Sequence, residues 1–390
     1  MSKQRDFDLV VFGATGFTGA LTAAYLARHA PANLRWALAG RTPSKLEAVR
    51  NSLAAIDPRL EVMELLHADT TDPATLDAVA ARSRVVITTV GPYLQYGEPL
   101  VAACAAHGTD YVDLTGEPEF VDRMYLAHHA TAVSSGARLV HACGFDSIPH
   151  DLGALHAITH LAPTGPVTLR GVVRASGTFS GGTFHSALGA FSRVKQGQQT
   201  FRQRLKVEPR PEGRSSRAVS GKPHKDPDLG LWLLPLPTID PQVVARSGAA
   251  LAAYGPSFRY SHFAGVRRLP VAAGAVVSVA GLFAAAQVPP LRRALLKRVP
   301  QGEGPDEARR KKSWFSVDFI GESEGRTVHT KVSGGDPGYT ETAKMLAESA
   351  LCLAYDTNPV TSGQVTTAVA MGENLTARLQ ATGIRFETIT

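Results

Sequence analysis

Residues 10–30, VVFGATGFTGALTAAYLARHA, place Gly13, Gly16 and Gly19 between a short apolar run and a stretch with helical spacing. An apolar run that stops at side-chain-free positions and resumes as a helix reads as strand, turn, helix. Glycine permits a tight turn and close approach to the backbone. The helix start adds free N–H groups and a partial positive charge. Such a turn suits an anion. The spacing is GxxGxxG, a relative of the GxGxxG dinucleotide fingerprint, and alone it is a weak signal, because similar turns also serve purely structural ends.

The neighbouring segments strengthen the reading. A second strand over 35–39 ends in Gly40 and Arg41, with Ser44 and Lys45 just beyond, before a helix to residue 55. An unphosphorylated ribose calls for a carboxylate at the end of this strand. A guanidinium there pairs instead with a 2′-phosphate. A third strand is predicted over 60–67, leading to Asp69, and Asp72 is placed to cap a helix that begins at Pro73. Strands over 84–90, 111–114 and 138–142 come next, with a helix over 98–107 between the first two. This alternation predicts an α/β, doubly wound parallel sheet of Rossmann type, with ligands beyond the carboxyl ends of its strands. The anion is then the pyrophosphate of NADP(H). Gly13, Ala14, Thr15, Gly16, Phe17, Thr18 and Gly19 form the cradle, Arg41, Ser44 and Lys45 the 2′-phosphate site, and Asp69 the adenine end. Gly91, Pro92 and Tyr93 follow the strand that should end near the nicotinamide.

The chain is divided into a dinucleotide-binding domain, 1–150, and a second α+β domain on a mixed sheet, 151–355, with 356–390 able to return to the first. In the second part a strand is predicted over 167–176, a hairpin turn over Ser180–Thr183 and a helix over 184–196. Residues 202–228 are rich in Pro, Gly and Ser and carry Arg202, Arg204, Lys206, Arg210, Arg214, Arg217, Lys222 and Lys225. They read as a mobile basic loop, either a solvated linker or a docking site for an acidic acyl carrier. The uncharged run 271–288 is flanked by arginines and reaches the lower limit for a membrane span. A buried or interface-lying helix that admits an acyl chain is the preferred reading, since a span would part the two halves of one enzyme. A hairpin over 314–332 and an amphipathic helix over 340–353 are expected to support the substrate cavity.

A hydrophobic share of 44% marks a globular chain, and the widely spaced Cys104, Cys143 and Cys352 suggest neither a disulfide framework nor a metal site. A cytoplasmic setting is expected. The net charge of +7 favours anionic partners. Nucleic acid is not expected among them, since there is no zinc-finger spacing, RNP-like motif or basic recognition helix.

GATGFTG at 13–19, LAGR at 38–41, TTVGPYLQYGEPLVAAC at 88–104, YVDLTGE at 111–117 and CGFDSIPHDLG at 143–153 together resemble the saccharopine dehydrogenase-like family of NADP-binding proteins. VSGGDPGYTETAKMLAESALCLA at 332–354 and GQVTTAVAMGENL at 363–375 resemble its actinobacterial trans-acting enoyl reductase branch. The resemblance implies NADPH as cofactor. It also implies a lipid or carrier-bound acyl substrate and a polyketide synthase as partner, and with that lipid setting a peripheral contact at the inner face of the plasma membrane is a further expectation. Enoyl reduction needs a proton donor as well as a hydride. Tyr93 leads the candidates, and Asp146, Ser147 and His150 form a second cluster. Asp113 and Glu117 read as structural caps. Two alternatives stay open: an amino-acid dehydrogenase of the saccharopine kind, using Arg170 or Arg174, and a non-catalytic NADP-binding protein on lipid surfaces.

Overall fold

The computed structural model describes residues 5–177, 181–298 and 304–390, with backbone only for 181–183. The first 140 residues lay down β1 (Phe7–Phe12), β2 (Trp36–Gly40), β3 (Leu65–His67), β4 (Ser83–Thr88), β5 (Asp110–Val112) and β6 (Arg138–Val140). All are parallel, in the order β6-β5-β4-β1-β2-β3. Helices cover both faces, so all six residues of β1 are buried; Leu9–Phe12 read as an unbroken apolar run, and Asp8 is paired with Arg35 at 2.9 Å. Asp72 caps the helix Pro73–Arg82 through the N–H of Ala74, as its sequence predicts. The third strand is shorter than expected. Pro58 and the Asp57 side chain, which accepts from the Arg59 N–H, start a 3-10 turn over Pro58–Val62 and leave only three residues to pair.

The chain then builds a second sheet from β7 (Val167–Ser176), β8 (Ser215–Ala218), β9 (His224–Lys225), β10 (Trp232–Pro235), β11 (Ser257–Val266), β12 (Trp314–Ser323) and β13 (Arg326–Gly334). β14 (Gly363–Val365) returns to the first sheet beside β6, and β15 (Arg385–Thr388) closes the second beside β13. The second order is β15-β13-β12-β7-β11-β10-β9, with β8 against β11, and β7 and β11 run parallel. The two sheets are thus interleaved along the chain. The helix Ile148–Leu161 joins them; its first seven residues are all buried, and its Asp151 accepts from Ser247, Thr367 and the Ala368 N–H.

Three expectations change. Ser180 lies outside the described residues, but 181–183 belong to the helix Gly181–Ser192 and make no hairpin turn; a second helix, Val194–Val207, comes after it. Residues 202–228 are not a free loop. Arg204, 2% exposed, pairs with Asp122 at 2.6 Å and also with Glu208; Arg214 caps carbonyls of Gly248, Leu251 and Gly255; β8 and β9 are sheet members. Removing one partner from a buried pair such as Arg204–Asp122 leaves an uncompensated charge and costs about 3–5 kcal/mol. Finally, the helix Thr340–Tyr355 lies against β1, β4 and β5 of the first sheet and against the helix Phe17–His29. Its residues 341–354 are nearly all buried, and Glu348 on it takes the Tyr25 hydroxyl at 2.7 Å.

Candidate functional site

The glycine turn comes directly after β1. Gly13 has φ +92°, a conformation that side-chain-bearing residues rarely adopt, and a Cβ there would meet Val90 and Thr89 at 2.7 and 2.8 Å. A Cβ on Gly19 would stand 2.2 Å from the Gly13 carbonyl oxygen, so this glycine lets the helix Phe17–His29 close on the turn. Gly16 differs. It is exposed, has ordinary extended backbone, and a Cβ there would touch only the Gly13 oxygen at 3.5 Å. The fold has room for a side chain at Gly16; a ligand against the backbone would not. As N-cap, Gly16 brings no side chain to the N–H groups of Phe17, Thr18 and Gly19, which precede the helix's own hydrogen-bond ladder. Ala14 is buried and Thr15 exposed beside it.

Arg41 follows β2 and is exposed, as are Ser44 and Lys45 in the first turn of the helix Pro43–Ala54. Asp69, beyond β3, is held by the N–H and hydroxyl of Thr71, at 2.9 and 2.8 Å; these bonds, with Arg41 nearby, keep its carboxyl below the ordinary range. Across β1, the hydroxyl of Thr89 donates to Gly13 at 3.1 Å and brings Val90, exposed Gly91 and Pro92 next to the glycine turn. An uncapped helix start, open space over Gly16 and exposed cations at the end of β2 fit a phosphorylated dinucleotide.

Tyr93 is buried. Its hydroxyl donates to the Thr88 carbonyl and accepts from the Leu114 N–H, both at 3.2 Å, and burial raises its pKa well above the ordinary value. A phenol so committed holds the β4–β5 edge together and is a poor proton donor. The carboxylate of Glu117 accepts from the N–H groups of Tyr93 and Leu94, and Asp113 from Tyr111, Thr115 and Ala142, which makes both acids caps.

Asp146 is different again. It follows β6, is only partly exposed, and makes no side-chain hydrogen bond among the described residues. A Cβ on Gly116 would meet its Oδ2 at 3.1 Å, which places the carboxyl over the turn after β5. Burial, then the negative Asp240, push its pKa up to about 7. The next residue, Ser147, is fully buried with φ +108°, a strained backbone of the kind concentrated at functional sites. His150 sits one turn on, 2% exposed, with Nδ1 3.2 Å from Asp240 Oδ1. His262 of β11 places Nε2 3.6 Å from the other oxygen of Asp240 and bonds Tyr260 through Nδ1. Ser147 and Thr238 donate to Asp240 at 3.2 and 2.5 Å. Although burial works to raise it, the two imidazoles and these hydroxyls hold Asp240 below the ordinary range. Burial depresses both histidines, His262 to about 3, so both stand neutral at pH 7. His150, Asp240 and His262 bring ligand atoms within 4.8 Å of one another, the composition of a divalent-metal site, although one carboxylate shared by two imidazoles also accounts for the contacts.

The 336–342 stretch connects cradle and acid. Tyr339 stacks edge-on against Phe17 at 4.9 Å, and Thr342 accepts the Phe145 N–H at 3.0 Å. Asp240, His262, Tyr339 and Thr342 have no sequence signal as site residues, because each reaches the site by tertiary contact alone.

A putative trans-acting enoyl reductase of Mycobacterium tuberculosis is 40% identical to this chain over 420 aligned positions, covering 98% of each. The chain belongs to the trans-acting enoyl reductase family. A trans-acting enoyl reductase of Mycobacterium ulcerans is 36% identical, again covering 98% of both chains. The family described as saccharopine dehydrogenase NADP binding domain matches residues 9–140, which hold β1 from Leu9, the glycine turn, Arg41 and β2 to β6. In fold, the protein is similar to the apo saccharopine dehydrogenase (L-Glu forming) of Saccharomyces cerevisiae, with a TM-score of 0.57, 12% identity and coverage of 98% and 100% of the two chains. This member of the family is an NADP(H)-dependent oxidoreductase.

Proposed function

We propose that the protein reduces the carbon–carbon double bond of an α,β-unsaturated acyl group carried by a partner polyketide synthase or acyl carrier. The near-complete match to a relative named as a trans-acting enoyl reductase carries this reading. The site supports it. Gly13 to Gly19 hold the pyrophosphate of NADPH, Arg41, Ser44 and Lys45 its 2′-phosphate, and Gly91 and Pro92 border the nicotinamide end. When bound, NADPH supplies the hydride. The protein supplies the proton: Asp146, with a pKa near 7, keeps a substantial fraction of its carboxyl protonated at neutral pH and delivers that proton to the α-carbon. Asp240 remains charged between two neutral imidazoles and, after burial, adds to the proton affinity of Asp146. His150 and His262 position Asp240.

The amino-acid dehydrogenase alternative would employ a free arginine in the second sheet for a substrate carboxylate. Arg170 is engaged by Asp226, Asp228 and Glu322, and the Arg174 guanidinium lies over the Trp314 ring at 5.6 Å. Following NADPH oxidation with a carrier-bound enoyl thioester and, separately, NADP+ reduction with amino-dicarboxylates tests the reading. Turnover is expected with the thioester only, and turnover with the amino acids alone would overturn it.

A further inference from the structure

The helix Leu269–Gln287 is the apolar run anticipated from sequence, but it is not buried. Its best 18-residue window has a mean hydropathy of 2.0 and is 11% buried, and only Ala272 and Ala286 are wholly covered. Val271, Val276, Val277, Val279 and Phe283 are between 42% and 71% exposed, an apolar surface that proteins rarely leave to water without a partner. A second helix, Pro289–Arg298, comes next and has no buried residue. Arg267 and Arg268 precede the pair, Arg292, Arg293, Lys297 and Arg298 lie in the second helix, and no acidic residue occurs from 267 to 298. This segment alone accounts for six of the chain's seven net positive charges.

We propose that these two helices form a docking face for an anionic lipid bilayer, with Leu269–Gln287 lying along the boundary between headgroups and acyl chains. The occupant is identified by apolar surface and charge together. A second copy of this chain, packed in either direction, would bring like-charged helix ends together. An acidic carrier protein would satisfy the arginines and leave the apolar stripe in water. A bilayer with anionic headgroups answers both. The helix does not cross. β11 ends at Val266 and β12 begins at Trp314, on either side of β7 in one sheet, and among the described residues no second apolar helix brings the chain back. The inference rests on this surface alone and stands apart from the assignment of the reaction. It does place the bilayer near the site. Phe283 stacks on Phe191 at 5.7 Å, and the helix bearing Phe191 also carries Ser186, which bonds Glu117 at the carboxyl edge of the first sheet.

Flotation of the full-length protein with vesicles tests this, using phosphatidylcholine alone and equal parts phosphatidylcholine and phosphatidylglycerol. Binding is expected to the mixed vesicles and to fall as salt rises. Val276→Glu with Val277→Glu, both on the exposed face, should weaken it by about tenfold or more while leaving NADPH affinity unchanged. Arg292→Gln with Arg293→Gln should weaken binding chiefly at low salt. Failure of the folded protein to float with the anionic vesicles overturns the proposal. So does binding indifferent to the valine substitutions, or a dimer in solution that Val277→Glu dissociates without any vesicle binding.

Discussion

Seven consecutive residues, 13–19, form the turn after β1 at the carboxyl edge of the first sheet, where we propose that the pyrophosphate sits. The acid cluster at the same edge draws Asp146 and Ser147 from the turn after β6, His150 from the helix Ile148–Leu161, Asp240 from the helix Asp240–Ala250 and His262 from the other sheet. The first is set by local backbone geometry and depends on little beyond β1, β4 and one helix. The second exists only once both sheets have formed around the helix Ile148–Leu161. Cofactor binding should therefore be separable from the fold residue by residue, whereas the proton donor should respond to changes made far from it in sequence.

The largest effect is expected at the cluster. Asp146→Asn should lower kcat by about 10²–10⁴-fold, roughly 3–5 kcal/mol, with NADPH affinity intact. In the unaltered enzyme, turnover should fall as pH rises through about 7, as the Asp146 carboxyl loses its proton, and the variant should lack that limb. A matching sign holds for stability. Between the ordinary 3.8 and about 7 the folded state keeps a proton the unfolded chain has released, so this group's contribution declines as pH rises across that window. A variant that retains both turnover and the limb would separate Asp146 from the chemistry.

Within the cradle, two glycines should part company. Gly19→Ala drives a Cβ into the Gly13 carbonyl and should destabilise the protein by about 3 kcal/mol, read as a lowered Tm. Gly16→Val should leave Tm nearly unchanged and abolish NADPH binding by titration, because its side chain enters the space reserved for the pyrophosphate. Equal Tm losses for the two would contradict the division of roles.

A smaller effect is expected at the end of β2. Arg41→Ala should cost about 1.5–3 kcal/mol of NADPH affinity and leave NADH nearly unaffected. Equal affinities for the two cofactors in the unaltered protein would remove Arg41 from the site.

The smallest effect sharpens the comparison most. Asp240→Asn removes the negative neighbour of Asp146 and should move the fall in turnover to lower pH, with NADPH affinity unchanged. A pH limb that does not move would disconnect the two acids.

The sequence carried the first sheet well because strand, turn and helix alternate at short range there; the helices Phe17–His29 and Glu98–His107 and the strand Val167–Ser176 stand where their patterns put them. It carried the basic stretch 202–228 poorly. Pro, Gly and charge there suggest solvent, while the ion pair of Arg204 with Asp122 and the pairing of β8 with β11 are long-range events with no local signature. Tyr93 shows the same limit at the site. Its position after β4 is as expected, but nothing local reveals that Thr88 and Leu114 consume its hydroxyl. The helix Thr340–Tyr355 has a clear apolar pattern, and only the assembled fold shows which sheet it covers.

The central claim is that this protein moves a hydride from NADPH to an enoyl chain and a proton from Asp146 to the neighbouring carbon. NADPH deuterated at its transferable hydride, incubated with a carrier-bound enoyl thioester and analysed by mass spectrometry and NMR of the acyl product, tests it most directly. The account predicts a saturated acyl chain with one deuterium on the β-carbon, a proton from solvent on the α-carbon, and at least a hundredfold slower product formation with Asp146→Asn, about the lower bound for loss of a general acid. An unreduced thioester alongside deuterium transfer to an imine or keto acid would contradict it.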